Sequence, residues 1–286
     1  MSDFIQQRLE LVRQEMAKSN LDAFIIPRAD EYLGEYVPPQ NERLQWLSGF
    51  SGSAGVAVVL KTRAAMFVDG RYTIQVKQQV PEASFEFHHL IEEPPTGWLC
   101  ETLGENARIG IDSRMHTLSW YQATRKALAT KNIELIELDH NPIDLHWEDR
   151  PVPDLKLAML LGEEYTGVNS EKKRQMISAE IQKSGADIAL ISQLDSIAWL
   201  LNIRGGDVPR LPVLLAFATL DSTGDMVIYT DPRKLPNDFA AHVGKGVTVK
   251  EEDQLEQALH NLGNQGKRVM ADPTMANAWC QLRCQN

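Results

Sequence analysis

Cysteine is scarce in this chain: Cys100, Cys280 and Cys284 are the three in 286 residues. An odd count with no Cys-x-x-Cys spacing excludes a disulfide framework and points to a reducing compartment. Cys280 and Cys284 could share a helix face, but a zinc site would need partners from elsewhere. Basic residues are outnumbered, 29 against 39 acidic ones, so the net charge is −10. That balance disfavours a nucleic-acid backbone as partner, and the short run Lys172-Lys173-Arg174 reads as one solvated helix face. No stretch reaches the roughly 18 apolar residues of a membrane span, and the N-terminal segment lacks the apolar core of a secretory signal. A cytoplasmic protein with no membrane partner is expected.

Catalytic signatures are missing as well. The seven histidines, His88, His89, His116, His140, His146, His242 and His260, never fall in His-Glu-x-x-His or a related spacing. The adjacent pair His88-His89 lies on a strand-like segment, where neighbouring side chains face opposite ways. All seven read as surface residues. There is no Gly-x-Ser-x-Gly elbow, and Ser48-Gly49-Phe50-Ser51-Gly52-Ser53-Ala54-Gly55 lacks the Gly-Lys-Ser/Thr ending of a phosphate loop. A strand-like run, Val56 to Leu60, follows these glycines where a dinucleotide site would have a helix, so a glycine-rich turn is the better reading. Neither a catalytic nor a metal centre can be assembled from the residues.

What the chain does contain is one pattern used twice. Ala64-Ala65-Met66-Phe67-Val68 is a buried-strand pattern, and Asp69-Gly70 directly after it is turn chemistry that holds Arg71 at the strand's end. The same order returns as Met226 to Tyr229 followed by Asp231-Pro232-Arg233. Asp22, Trp46 and Asp112 with their flanking runs return as Asp187, Trp199 and Asp272, at offsets that drift between 153 and 165 residues. Amphipathic helix spacing at Ile5, Leu9, Val12 and Met16 precedes the first copy, with Ser2 or Asp3 able to cap it. The segment 28–43, which carries Pro38-Pro39, reads as an irregular excursion. These features predict two similar α/β domains, 1–153 and 154–286, each a mixed sheet flanked by helices. The last offset places the end of the chain opposite Lys126, inside a helix of the first copy, so the second domain is expected to be truncated before its last strand. Arg71, a planar cation on a strand-terminal turn, could bind a carboxylate or a peptide carbonyl; from spacing alone, an internal ion pair with Asp69 is the favoured alternative.

Ser48-Gly49-Phe50 with Gly52-Ser53-Ala54-Gly55, Asp69-Gly70-Arg71-Tyr72, the Trp147 to Pro153 linker, Tyr165-Thr166-Gly167, and Leu194-Asp195 through Asp207-Val208 occur in an order that resembles the cytosolic three-domain form of aminopeptidase P, an Xaa-Pro aminopeptidase. The resemblance covers nearly the whole chain. It implies two creatinase-type N-terminal domains of a parent enzyme that removes the first residue from peptides with proline second. The parent's pita-bread domain, which holds two manganese ions, matches nothing in these residues and is absent; the chain alone is therefore expected to be inactive and to hold no cofactor. The resemblance further implies that Arg71 contacts bound peptide, that Asp69, Gly70 and Tyr72 frame it, and that the enzyme is a homo-oligomer. The role is not extended to Arg233. The rival reading is a stand-alone module of the same fold that binds peptide or protein without catalysis.

Overall fold

The computed structural model describes residues 2–285. Met1 and Asn286, together with the side chain of Ser2, one of the two residues expected to cap the first helix, lie outside the described residues. The chain divides into two compact units. One takes the chain up to Asp30 and then Pro39–Val152; the other takes Glu31–Pro38 and everything from Pro153 onward.

The first unit contains α1 (Ser2–Lys18), β1 (Ala23–Pro27), α2 (Arg43–Ser48), β2 (Gly55–Leu60), β3 (Ala64–Val68), α3 (Thr73–Gln79), β4 (Glu86–His89), α4 (Pro95–Thr102), β5 (Arg108–Ile111), α5 (Leu118–Ala129) and β6 (Glu134–Glu137). Its sheet runs β4-β3-β2-β1-β5-β6. β2 is antiparallel to both β1 and β3, while β4 lies parallel to β3, β5 to β1, and β6 to β5. The carboxyl ends of five strands therefore share one edge, with β2 alone reversed.

Strand alternation explains why β3 is buried on both sides. Ala64, Met66 and Val68 join one core with Ile5, Leu9, Val12 and Met16 of α1, while Ala65 and Phe67 join another with Leu99 of α4 and Leu128 of α5. Helices thus cover both faces of the sheet. The four α1 side chains are 2% exposed or less, as their spacing predicts.

The second unit contains β7 (Met159–Leu160), α6 (Glu163–Thr166), α7 (Ser170–Lys183), β8 (Ile188–Ile191), α8 (Leu194–Leu201), β9 (Ile203–Arg204), β10 (Phe217–Asp221), β11 (Met226–Tyr229), α9 (Phe239–Val243), β12 (Val247–Lys250), α10 (Leu255–Asn264), β13 (Val269–Met270) and α11 (Ala278–Cys284). Its main sheet, β12-β11-β10-β8-β13, repeats the first five strands of the other unit with the same directions. The repeat extends to single hydrogen bonds. Arg108 N–H donates to Asp22 Oδ2 and Arg268 N–H to Asp187 Oδ2, each at 2.8 Å. Glu31–Pro38, an irregular excursion in the sequence, packs within this unit. Tyr32 stacks on Phe217 with ring centroids 5.1 Å apart, and its hydroxyl donates to Glu252 at 2.6 Å.

Two expectations fail. The Lys172-Lys173-Arg174 run is not a solvated face, because Lys173 and Arg174 are 4% and 1% exposed. Arg174 stands where Leu9 stands in the first unit, and it donates to four backbone carbonyls, of Gly224, Val243, Lys245 and Gly246. Lys173 Nζ donates to Asn202 Oδ1 at 2.6 Å and to Trp199 O at 3.0 Å. Loop carbonyls at the ends of this sheet recruit Arg174 inward, and the C-terminal end of α8 with its cap Asn202 recruits Lys173. Nor are all seven histidines at the surface. His116 is buried beside Thr117, the N-cap of α5, and its ring stacks on Trp120 with centroids 3.9 Å apart.

Burial pushes the His116 imidazole down from 6.5 to about 3. The folded chain keeps this ring neutral between those values, whereas the unfolded chain takes up a proton near 6.5. Stability that is complete above pH 6.5 is therefore lost as pH falls toward 3, at up to about 1.4 kcal/mol per pH unit. Urea midpoints measured from pH 7 to pH 4 should fall less steeply for His116→Phe than for the parent chain; parallel slopes would contradict a buried, neutral His116.

Candidate functional site

The site is the turn that leaves β3. Because β3 is paired on both edges and covered on both faces, the chain can leave only at the sheet's carboxyl end. There the Asp69 carboxylate folds Arg71 back on itself. Oδ1 accepts from Arg71 N–H at 2.9 Å and from Nε at 3.2 Å, and Oδ2 accepts from Nε at 3.1 Å and Nη2 at 2.7 Å. The hydrogen bonds from Arg71 hold the Asp69 carboxyl below the usual carboxylate range, against an opposing push from burial. The Arg71 side chain is nonetheless 68% exposed, against 15% for Asp69. The carboxylate is anchored and the guanidinium faces outward. Of the two readings left open by the spacing, the internal ion pair is formed, and it orients the exposed cation.

Gly70 is not needed for its conformational freedom. It lies outside the positive-φ residues, and in the second unit Pro232 fills the same place in an Asp-x-Arg turn of matching geometry. Asp231 accepts there from Arg233 N–H at 3.0 Å and from Nη2 at 2.6 Å. Those bonds bring the Asp231 carboxyl down to about 2.

Tyr72 supports the turn from behind. The Arg71 guanidinium carbon lies 5.3 Å from the Tyr72 ring centroid, a cation–π distance. The Tyr72 hydroxyl and Ser53 Oγ are 2.7 Å apart, and the ring meets Phe50 edge-on at 5.6 Å. The glycine-rich segment thus packs between elements as a wall for Tyr72. Gly49 caps α2 in the left-handed region with φ of 83°, and Gln79 of α3 ties down Ser51, accepting from its N–H at 3.0 Å and donating to its Oγ at 2.8 Å. A side chain on Gly52 would place Cβ 2.3 Å from Phe50 Cζ and 2.8 Å from Tyr72 Cδ1.

His89 joins the site from the end of β4, where the sequence offered no signal for it. Its Nδ1 accepts from the N–H groups of Ile91 and Glu92 at 3.4 and 3.2 Å. In the neutral ring the proton is therefore on Nε2, which faces Gly70, 3.6 Å from where a Cβ there would lie. His89 reaches the Gly70 turn because β3 and β4 are parallel neighbours, a pairing that residue spacing does not reveal. Among the described residues no three His, Cys, Asp or Glu side chains come together to hold a metal ion. The two manganese ions implied by the resemblance therefore do not fit this chain's own described residues. No helix of the described chain is long and apolar enough to cross a membrane.

Residues 8–145 and residues 149–286 each match a family model described as the creatinase/prolidase N-terminal domain. A protein of Aspergillus flavus named "Probable Xaa-Pro aminopeptidase P" is 32% identical over 252 residues, which are 87% of this chain and 38% of that protein. One of the same name from Paracoccidioides lutzii is 34% identical over 261 residues, 90% of this chain and 42% of that protein. This chain thus spans about two fifths of the curated relatives it matches. Among solved structures, an X-prolyl aminopeptidase of Caenorhabditis elegans, described as a cytosolic enzyme with a di-nuclear active site, shares the fold with a TM-score of 0.89 at 24% identity. The match covers 96% of this chain and 48% of that one.

Gly52→Ala should lower the free energy of unfolding by about 1–3 kcal/mol, the usual cost of forcing an extra carbon into packed rings. Urea unfolding measures it, and an unchanged midpoint would mean that Phe50 and Tyr72 are not held as described.

Proposed function

We propose, on the premise that both halves of this chain belong to the creatinase/prolidase N-terminal domain family, that they form the non-catalytic N-terminal part of a metal-dependent Xaa-Pro aminopeptidase. Its two domains, 1–153 and 154–286, narrow access to a reaction centre carried elsewhere in the longer enzyme and help its subunits associate. That enzyme works in the cytoplasm on peptides with proline at the second position, using two manganese ions. The observation that carries the reading is the outward-facing Arg71 guanidinium, aimed by Asp69 and backed by Tyr72. A planar donor of this kind suits a peptide carbonyl or carboxylate.

The rival is a stand-alone peptide- or protein-binding module of the same fold. Both readings predict no turnover by residues 1–286; Xaa-Pro cleavage by a longer enzyme, weakened by Arg71→Ala, is expected of the first alone.

In the longer enzyme, Arg71→Ala should lower kcat/KM for Xaa-Pro peptides about 10- to 100-fold, the worth of one charge-assisted hydrogen bond, mainly through KM. Residues 1–286 alone should release no N-terminal residue with or without added manganese. Turnover by the purified chain, or an unaltered KM in the variant, would overturn the proposal.

A further inference from the structure

Gly70 lies outside the positive-φ residues, so its missing side chain serves something other than backbone freedom. Among the described residues, and its chain neighbours apart, the one heavy atom within 4 Å of where a Cβ there would lie is His89 Nε2, at 3.6 Å. A longer side chain at this position would crowd that nitrogen. The nitrogen has a hydrogen to give. His89 Nδ1 accepts from the Ile91 and Glu92 N–H groups, which a protonated ring cannot do, so the ring is neutral with its proton on Nε2. Among the described residues Nε2–H has no acceptor, and the residue is half-buried. His88, its neighbour, is engaged instead: its ring stacks on Phe67 with centroids 5.0 Å apart, and its Nδ1 lies 2.6 Å from Glu93 Oε2.

The second unit carries the same chelate without this donor. His88 pairs opposite Phe67 and Lys250 opposite Tyr229, each two residues before the turn aspartate, Asp69 or Asp231. The next residues, His89 and Glu251, therefore hold the same place. Glu251 lines one cavity with Asp231 and Arg233, and an ionised carboxylate can only accept. Pro232 stands there in place of Gly70, in a turn closed by the same bond: Lys234 N–H donates to Asp231 O at 3.0 Å, as Tyr72 N–H donates to Asp69 O at 3.0 Å. A bare residue thus goes with a donor at the strand end, and a filled one with a carboxylate. A need of the turn itself would have put glycine in both units.

We propose that His89 Nε2–H is a second peptide-binding donor of the Arg71 site, left accessible by Gly70, and that it takes a backbone carbonyl of the substrate. The inference deepens the proposed function and rests on its peptide reading of Arg71. The Asp69–Arg71 pair carries no net charge and the imidazole is neutral. The turn therefore offers hydrogen bonds without the excess positive charge that favours a carboxylate ligand. A peptide carbonyl is neutral and needs only a directed donor. Recognition is then of main chain, and the donor contributes equally to peptides ending in a carboxylate or in an amide.

Two substitutions divide the ring's two roles. Asparagine places its oxygen near the position of Nδ1 and keeps the bonds to Ile91 and Glu92 while removing the outward donor; glutamine places its nitrogen near Nε2 and keeps the donor. In the longer enzyme, His89→Asn should raise KM for an Xaa-Pro-Xaa peptide about 3- to 10-fold with kcat little changed, the worth of one neutral hydrogen bond. The C-terminal amide of that peptide should show the same loss. His89→Gln should leave KM close to the parent value. Gly70→Pro should raise KM as His89→Asn does without lowering the thermal midpoint, because Pro232 fills the matching turn. A harmless His89→Asn beside a damaging His89→Gln would make His89 a prop of the 89–92 turn and overturn the proposal. So would a loss confined to the free carboxylate. Arg71→Ala is the reference: an unaltered KM there fails the proposed function, whereas a raised KM there beside an unaltered one in His89→Asn overturns this inference alone.

Discussion

The Asp69 carboxylate is the constraint on which the functional reading depends. An exposed arginine on a flexible turn samples many rotamers and loses that freedom when it binds. Here three hydrogen bonds from the side chain to one carboxylate, which also accepts the Arg71 backbone N–H, collapse those rotamers before any ligand arrives. The carboxylate itself is fixed because it follows a strand with no freedom of its own, the residues of β3 being 2% exposed or less. Core packing therefore sets the direction of a surface cation through a single shared acid. Tyr72, Phe50 and the glycine-rich segment support it from the other side, and their small residues are dictated by ring contacts rather than by phosphate binding.

The duplication shows which parts of that arrangement are general. Both units carry the Asp-x-Arg chelate, and both join their central strands through an aspartate that accepts the backbone N–H of an arginine. What differs is what lies around the chelate. The first turn has His89 beside it, while the second opens toward Glu251, Glu252 and Asp253, an acidic surround that disfavours a carboxylate ligand at Arg233. The helix cores diverge too. Leu9 packs in oil where Arg174 collects four carbonyls, a satisfied buried cation that ties the β10–β11 turn and the approach to β12 to α7.

Much of this was legible in residue patterns. Alternating apolar runs located the strands, a single helical stripe identified α1, and recurring aspartates exposed the repeat; a family resemblance singled out Arg71. Local pattern was insufficient wherever distant backbone decided the outcome. Arg174 looks like part of a charged surface until the loops at 224 and 243–246 close around it. His116 looks like a solvated histidine until Thr117 caps α5 and the helix brings Trp120 onto its ring. His89 reaches the site only through the parallel pairing of β3 with β4. The apolar run from Val213 pairs as a strand only over Phe217–Asp221, because Leu215 N–H is taken by Asp207 Oδ2 at 2.7 Å instead of a neighbouring strand.

The central claim is that Asp69 acts on peptide through Arg71 and not independently. A double-mutant cycle on the KM for an Xaa-Pro peptide in the longer enzyme, with Asp69→Asn, Arg71→Ala and the pair, tests it most directly. The account predicts that Asp69→Asn weakens the enzyme on the parent background and adds nothing once Arg71 is gone, a coupling of about 1 kcal/mol or more. Fully additive effects would contradict it.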